Sequence, residues 1–389
     1  MTRQDYFALF DRGVERRGTG SYKWDSGNTE ALPMWVADMD FATAPAVIEA
    51  LHRRVDMGAF GYTYVGDDYY DAVIDWFRRR HGWNIAKESI VPTTGVVPAI
   101  SAVIKALTKP GDKVIVQTPV YNCFFSSIRN NGCIVLPNPL LRENGSYRMD
   151  FADLEAKAAD PLARVLILCN PANPAGRAWT REELARLGEI CLANGVTVLS
   201  DEIHCELVMP GHVYTPFATV SRELAHKSVV CVSPSKAFNT AGLQIANIVA
   251  PDQEHRRAID RAININEVVD VNPFGVVGTI AAYTHGGEWL DALIEYIWQN
   301  YLFMKDFCER ELPQFPLTKL EATYLVWMDC RAAGLPSDAL AEELIAKAGL
   351  WLNAGTMYGP EGRDYIRWNL ACPRRLLKEG LERFAAFFK

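Results

Sequence analysis

The hydrophobic pattern changes character along the chain. The first 44 residues are mixed and turn-rich, broken by one run, Leu32-Pro-Met-Trp-Val-Ala-Asp-Met-Asp-Phe41, which reads as an arm that packs on something else. From Pro45 a helical spacing begins at Val47, Ile48 and Leu51. A second helix is expected over 69–80, with Tyr70, Val73, Ile74 and Phe77 on its apolar face. Short β-branched runs then alternate with helical stretches. Lys113-Val-Ile-Val116, Arg164-Val-Leu-Ile-Leu168, Val196-Thr-Val-Leu199 and Ser228-Val-Val-Cys-Val232 are nearly all apolar, as in strands of a parallel sheet covered on both faces. Thr180-Arg-Glu-Glu183 is a capping box that opens a helix to about Asn194. Gln244–Ala250 reads as one more strand, of unknown direction. A long helix is expected over 289–308, and roughly 310–389 mixes short strands and helices.

This grammar predicts an α/β fold. A large doubly wound, mostly parallel-sheet domain should span 45–285. A smaller α+β domain should be assembled from 1–44 and 286–389. The length, 389 residues, suits two such units sharing a core.

Composition narrows the function classes. Forty basic against 47 acidic residues give a net charge of −7, so no basic footprint for nucleic acid exists. No run of about 18 apolar residues and no apolar signal core occurs, which points to a cytoplasmic protein. The nine cysteines show no CxxC pair and no zinc spacing, so buried free thiols are expected, with no metal.

In doubly wound sheets, ligands bind beyond the carboxyl ends of strands, and five polar segments fall there. Thr93-Thr-Gly-Val-Val-Pro98 leads into a helix. Gly95 and Val96 either form a plain turn or offer backbone N–H groups to an anion at the helix start. Tyr121, closing Gln117-Thr-Pro-Val-Tyr121, is either a rim aromatic or a platform for a planar ring. Cys169-Asn-Pro-Ala-Asn-Pro-Ala-Gly-Arg177 has two Asn-Pro steps that should turn the chain and expose their amides. In Ser200-Asp-Glu-Ile-His204, a buried Asp201 needs a cation or donors. A metal or cap role for Asp201, Glu202 or His204 is the alternative, although the helical His-Glu-x-x-His pattern is absent. In Ser233-Pro-Ser-Lys236, a lysine beyond an apolar strand is unusual. Desolvation would make its amine a nucleophile toward carbonyls, and the flanking hydroxyls can bind phosphate.

Taken together, these residues resemble fold-type I pyridoxal-5′-phosphate (PLP) enzymes, the aspartate aminotransferase superfamily. They are most similar to its cystathionine β-lyase (C–S lyase) branch of the MalY/PatB type. The phrases that carry the resemblance are Pro33–Phe41, Phe60-Gly-Tyr-Thr63, Thr118–Tyr121, Ser200–His204, Ser233–Lys236 with Ala241-Gly-Leu243, and Arg367-Trp-Asn-Leu-Ala-Cys-Pro-Arg374, spread over nearly the whole chain.

The resemblance implies a Schiff-base lysine at Lys236, Asp201 on the pyridine nitrogen, Asn173 on the phenolic oxygen and Tyr121 stacked on the ring. Gly95, Val96, Ser233 and Ser235 would hold the phosphate. Tyr62 would reach it from the second subunit of a homodimer. His204 would lie beside the cofactor, more as a support than as a reacting group. Arg367 would clamp the substrate carboxylate with its planar fork, near Ala37. Trp35 and Asp38 read as shaping the arm. Two departures stand out. Ala172 occupies the position where this branch commonly has His, and Gln244 the position where aspartate aminotransferases place an Arg. The implied reaction is α,β-elimination from a thioether amino acid such as L-cystathionine, giving pyruvate, ammonia and a thiol. An aminotransferase, or a PLP-fold protein with a regulatory binding role, is the alternative.

Overall fold

The computed structural model describes residues 1–27, 30–265 and 270–389. Its centre is a seven-stranded sheet of β1 (Ile90–Thr93), β2 (Lys113–Val116), β3 (Ile134–Pro137), β4 (Ala163–Cys169), β5 (Thr197–Asp201), β6 (Ser228–Val232) and β7 (Ala246–Val249), in the order β1-β7-β6-β5-β4-β2-β3. The strands β3, β2, β4, β5 and β6 pair in parallel. The direction left open for the Gln244–Ala250 run is antiparallel, to β6 on one side and β1 on the other.

The apolar runs are buried on both faces, as their composition implies. Leu166 and Leu168 enter one hydrophobic cluster with Leu184 and Leu187 of the helix Arg181–Ala193. Val165 and Ile167 enter another with Ile100 and Val103 of the helix Val96–Leu107. The capping box forms as read: Thr180 accepts from the Glu183 N–H, and the Glu183 carboxylate accepts from the Thr180 N–H.

The early helices differ from the pattern by a small rotation. Pro45–Asp56 buries Val47 and Ala50, while Ile48 is 38 % exposed. Asp67–His81 buries Tyr69, Val73, Trp76 and Phe77, and Tyr70 and Ile74 sit at its edge. Both pack on the helix Pro273–His285, whose glycines admit close neighbours. The expected long helix runs from Gly287 to Glu311.

A second sheet of three antiparallel strands follows: β8 (Leu325–Asp329), β9 (Asn353–Ala354) and β10 (Tyr365–Asn369), with β10 in the middle. The helix Arg374–Phe387 closes this region through Leu377, Leu381 and Phe384. The arm packs between the two sheets. Leu32 and Pro33 pair in parallel with Leu350 and Trp351, and Trp35 stacks on Trp351 with centroids 4.5 Å apart.

Beyond Trp35 the arm is held by its backbone as well as by the buried side chains of Met39, Asp40 and Phe41. The Asn369 amide donates to the carbonyls of Val36 and Asp38, both at 2.6 Å. The Asn239 amide donates to those of Met39 and Phe41 and accepts from the Met39 N–H. All nine cysteines are free thiols, and eight are buried. No described helix is long and apolar enough to cross a membrane.

Candidate active site

The carboxyl ends of the sheet strands converge on a cavity of about 190 Å³. Gly95, Val96, Tyr121, Asn173, Asp201, His204, Ser235, Lys236 and Ala37 all line it, so nine residues singled out from the sequence meet in one place.

Lys236 follows β6 on a tight turn closed by the Phe238 N–H to the Pro234 carbonyl. Its ammonium donates to the Ala37 carbonyl at 2.6 Å, and the Tyr324 hydroxyl donates to the same oxygen at 3.0 Å. Burial pulls the Lys236 pKa down to about 8. The side chain keeps some solvent access because the cavity opens over it.

Asp201 ends β5 with its backbone paired opposite Cys169 and Cys231. Burial drives its carboxyl up to about 7, against the Ile203 N–H bond to Oδ1 at 3.1 Å. No protein donor among the described residues meets its other oxygen. Neighbouring Glu202 is different. It accepts from Ser200, Asn170, the Phe217 N–H and Tyr214, so its needs are met away from the cavity. The acidic pair thus divides into one spent carboxylate and one available one.

His204 is buried, and its pKa falls to about 3, through burial first and then the charges of Lys236 and Arg367. It is therefore neutral, and its Nδ1 has no hydrogen-bond partner. Burial also keeps the Tyr121 phenol protonated.

Arg367 sits in the middle of β10 and is 3 % exposed. Nη1 donates to Asn173 Oδ1 at 3.2 Å and Nη2 to the Trp35 carbonyl at 2.7 Å, with the Tyr358 ring 5.0 Å away. Its Nε has no partner, and no described carboxylate lies within ion-pair distance. A buried guanidinium without a counter-ion is costly unless an anion visits.

At the helix start after β1, no side chain caps Val96–Leu107. The first N–H groups of this helix and the positive end of its dipole lie at one end of the cavity, a setting that favours negative charge. Ser235 lies beside it.

Two expectations change, for Ser233 and for the Asn-Pro amides. Ser233 does not line the cavity. Its hydroxyl donates to the Ile245 carbonyl at 2.7 Å and accepts the Ser235 N–H, so it orients Ser235. Tyr62 is 97 % exposed and lies outside the cavity of its own chain. The Asn-Pro amides are not exposed: Asn170 and Asn173 are 1 % and 3 % accessible, the Asn170 NH₂ donating to Glu202 and the Thr215 carbonyl and the Asn173 Oδ1 accepting from Arg367.

The sequence reading missed Tyr324 and Tyr358, which brace the Lys236 and Arg367 surroundings. Both flank short strands, where no periodicity separates a site tyrosine from a core one.

The family described as Aminotransferase class I and II matches residues 31–384, and the chain belongs to it. Within that family it belongs to the MalY/PatB branch. It is 47 % identical to the cystathionine β-lyase PatB of Bacillus subtilis (strain 168), covering 97 % of this chain and 99 % of that one. It is 33 % identical to the protein MalY of Escherichia coli (strain K12), covering 96 % of each. A crystal structure of a PLP-bound putative aminotransferase from Clostridium difficile 630 superposes with a TM-score of 0.95 at 40 % identity, covering 98 % of this chain and 99 % of the other.

Proposed function

We propose that the chain is a PLP-dependent carbon–sulfur β-lyase that acts on L-cystathionine or related cysteine S-conjugates in the cytoplasm. The reading rests on one observation above the others. A nucleophilic lysine and a carboxylate with a spare oxygen face one cavity, and a buried arginine without a counter-ion sits behind its lining residue Asn173, in a chain 47 % identical to PatB along its length.

The donor set fits PLP. Asp201 offers its unmatched oxygen to a protonated ring nitrogen. The NH₂ group of Asn173 would serve the phenolic oxygen, and Tyr121, lining the same cavity, would lie against the ring. The N–H groups at Gly95 and Val96 and the Ser235 hydroxyl suit the phosphate. Ser233 holds Ser235, and neutral His204 supports the cofactor without adding charge. When bound, PLP supplies a carbonyl for the substrate amine and a ring that withdraws electrons from Cα.

Arg367 takes the substrate carboxylate beside Ala37, which fixes the Cα–H bond relative to Lys236. Lys236 Nζ accepts the Cα proton; with a pKa near 8 it gives and takes protons close to neutral pH. Asp201 would hold the ring nitrogen and, ionised beside it, would keep it protonated. The Cβ–S bond breaks with its electron pair leaving on sulfur, and water converts the three-carbon remainder to pyruvate and ammonia.

We take 45–285 as the cofactor-binding unit and 1–44 with 286–389 as the smaller one. Phe60, Tyr62 and Tyr64 are 58 %, 97 % and 87 % exposed on one irregular segment, which favours a homodimer in which Tyr62 reaches the partner's phosphate. A monomer in sedimentation would sink that part.

The purified protein should show the visible absorbance of bound PLP and release pyruvate from L-cystathionine with no keto acid added. Lys236→Ala should lose both. A second reading, amino-group transfer, draws on the superposed structure described as a putative aminotransferase. Visible absorbance with no pyruvate, but with amino transfer to an added keto acid, would select it.

A further inference from the structure

The carbonyls of the arm are shared out by position. Those of Met34, Val36 and Asp38 all go to Asn369. Its backbone N–H donates to Met34 at 3.0 Å, and its amide nitrogen donates to Val36 and to Asp38, each at 2.6 Å. The carbonyls between them go elsewhere. That of Trp35 accepts from Arg367 Nη2 at 2.7 Å and from the Asn353 amide at 2.9 Å. That of Ala37 accepts from the Lys236 ammonium at 2.6 Å and from the Tyr324 hydroxyl at 3.0 Å. Two carbonyls that converge on one nitrogen curl the chain around it, and the backbone is bent at Val36, Ala37 and Asp38. Asn369 is 1 % exposed, and its own Oδ1 is pinned by the Ala371 N–H at 2.8 Å.

A carbonyl suits these two cations. It orients an ammonium or a guanidinium without cancelling the charge. A carboxylate in the same place would hold Lys236 as an ammonium and would compete with a substrate carboxylate for Arg367. Both contacts depend on where two peptide groups of one segment point, and their neighbours on either side are gripped by a single residue.

We propose that Asn369 is a positioning residue for both cations: by gripping the carbonyls of Met34, Val36 and Asp38, it sets the carbonyl of Ala37 against Lys236 and that of Trp35 against Arg367. It touches neither substrate nor cofactor and acts through the arm. The inference rests on the reading of Lys236 as the reacting amine and Arg367 as the carboxylate clamp.

The test uses the full-length chain freed of PLP, at neutral pH and without denaturant. Lysines are methylated with formaldehyde and a mild hydride donor. The Lys236 peptide is quantified by mass spectrometry against that of exposed Lys378. Asn369→Ser keeps one hydroxyl for the arm and leaves at least one carbonyl unpaired. With the curl loosened, Lys236 loses its acceptor, and its methylation should run about tenfold faster than in wild type. With PLP and L-cystathionine, KM should rise about tenfold with a smaller change in kcat, as Arg367 loses its hold on the arm. Asn353→Ser is the control, because Asn353 meets the arm only at Trp35. It should leave Lys236 methylation at the wild-type rate. An Asn369 that only holds the fold would lower the urea midpoint and leave the Lys236 rate unmoved. That result, or equal acceleration by Asn353→Ser, overturns the proposal.

Should Asn369→Ser not fold, Val36→Gly tests the same grip from the arm. It frees the backbone between Trp35 and Ala37 but leaves every carbonyl available to Asn369, so Lys236 methylation should keep its wild-type rate. Acceleration there would mean that backbone stiffness sets the carbonyl, and would equally overturn the proposal. The visible spectrum of the wild-type protein with PLP is recorded separately. Its failure would strike the cofactor reading and leave the methylation contrast standing.

Discussion

Asp201→Asn separates stability from activity at one position. Burial raises the Asp201 carboxyl from its ordinary 3.8 to about 7, outweighing the Ile203 N–H and the Lys236 charge that lower it. A carboxyl raised by folding favours the native state only while protonated. That benefit is full below the unfolded value and is lost as pH climbs through the folded one. At about 1.4 kcal/mol per pH unit, the span from 3.8 to about 7 is a cost of about 4 kcal/mol at pH 8.5, and of about 2 kcal/mol at pH 5.5, where only the lower half has been traversed. Asn is nearly isosteric, can accept the Ile203 N–H and carries no charge. The PLP-free Asp201→Asn chain should therefore be more stable than wild type, and more so at pH 8.5 than at 5.5. Urea midpoints at the two pH values measure this. With PLP present the ranking should invert at pH 8.5, because the wild-type carboxylate then gains its cation, while the variant's pyruvate release falls by at least about 100-fold. A PLP-free variant no more stable than wild type, or equally stabilised at both pH values, would refute the argument that Asp201 is a strained, waiting charge.

Two further outcomes follow from other contacts. Arg367→Lys loses the fork held by Asn173 and the Trp35 carbonyl. KM for the amino-acid substrate should rise about 100-fold with a smaller fall in kcat, read from steady-state pyruvate release; an unchanged KM would remove the carboxylate clamp. Gly355→Ala would put a methyl against the carbonyls of Gly362 and Tyr365 and 2.8 Å from the Trp327 ring. None of these is the end of a flexible chain, so a loss of about 3 kcal/mol is expected in urea unfolding, with PLP absorbance retained in whatever fraction stays folded.

The parallel strands were legible because burial on both faces leaves an almost unbroken apolar run, and a strand such as 164–168 has few other uses. The site was legible because chain order places each polar segment just past such a run, so Asp201, Asn173 and Lys236 had to approach one another. Direction was not legible for Gln244–Ala250, since the same composition suits either pairing. Nor was the facing of individual side chains in loops. Ser233 and Ser235 are two residues apart on one turn, and only the Ile245 carbonyl decides which hydroxyl is spent. The helix faces at Ile48 and Tyr70 were displaced because neighbouring helices, absent from a single-segment pattern, choose which apolar residues to cover.

Besides its buried side chains, the arm is bound through its peptide groups: Asn369, Asn239, Asn353 and Arg367 all bind its carbonyls. This shapes how the segment can diverge. Residues such as Val36 can be exchanged without touching the anchors, so substitutions there should accumulate cheaply. An inserted or deleted residue would slide every carbonyl off its partner at once. Related proteins should therefore tolerate exchange at Val36 while keeping the length from Trp35 to Phe41 fixed.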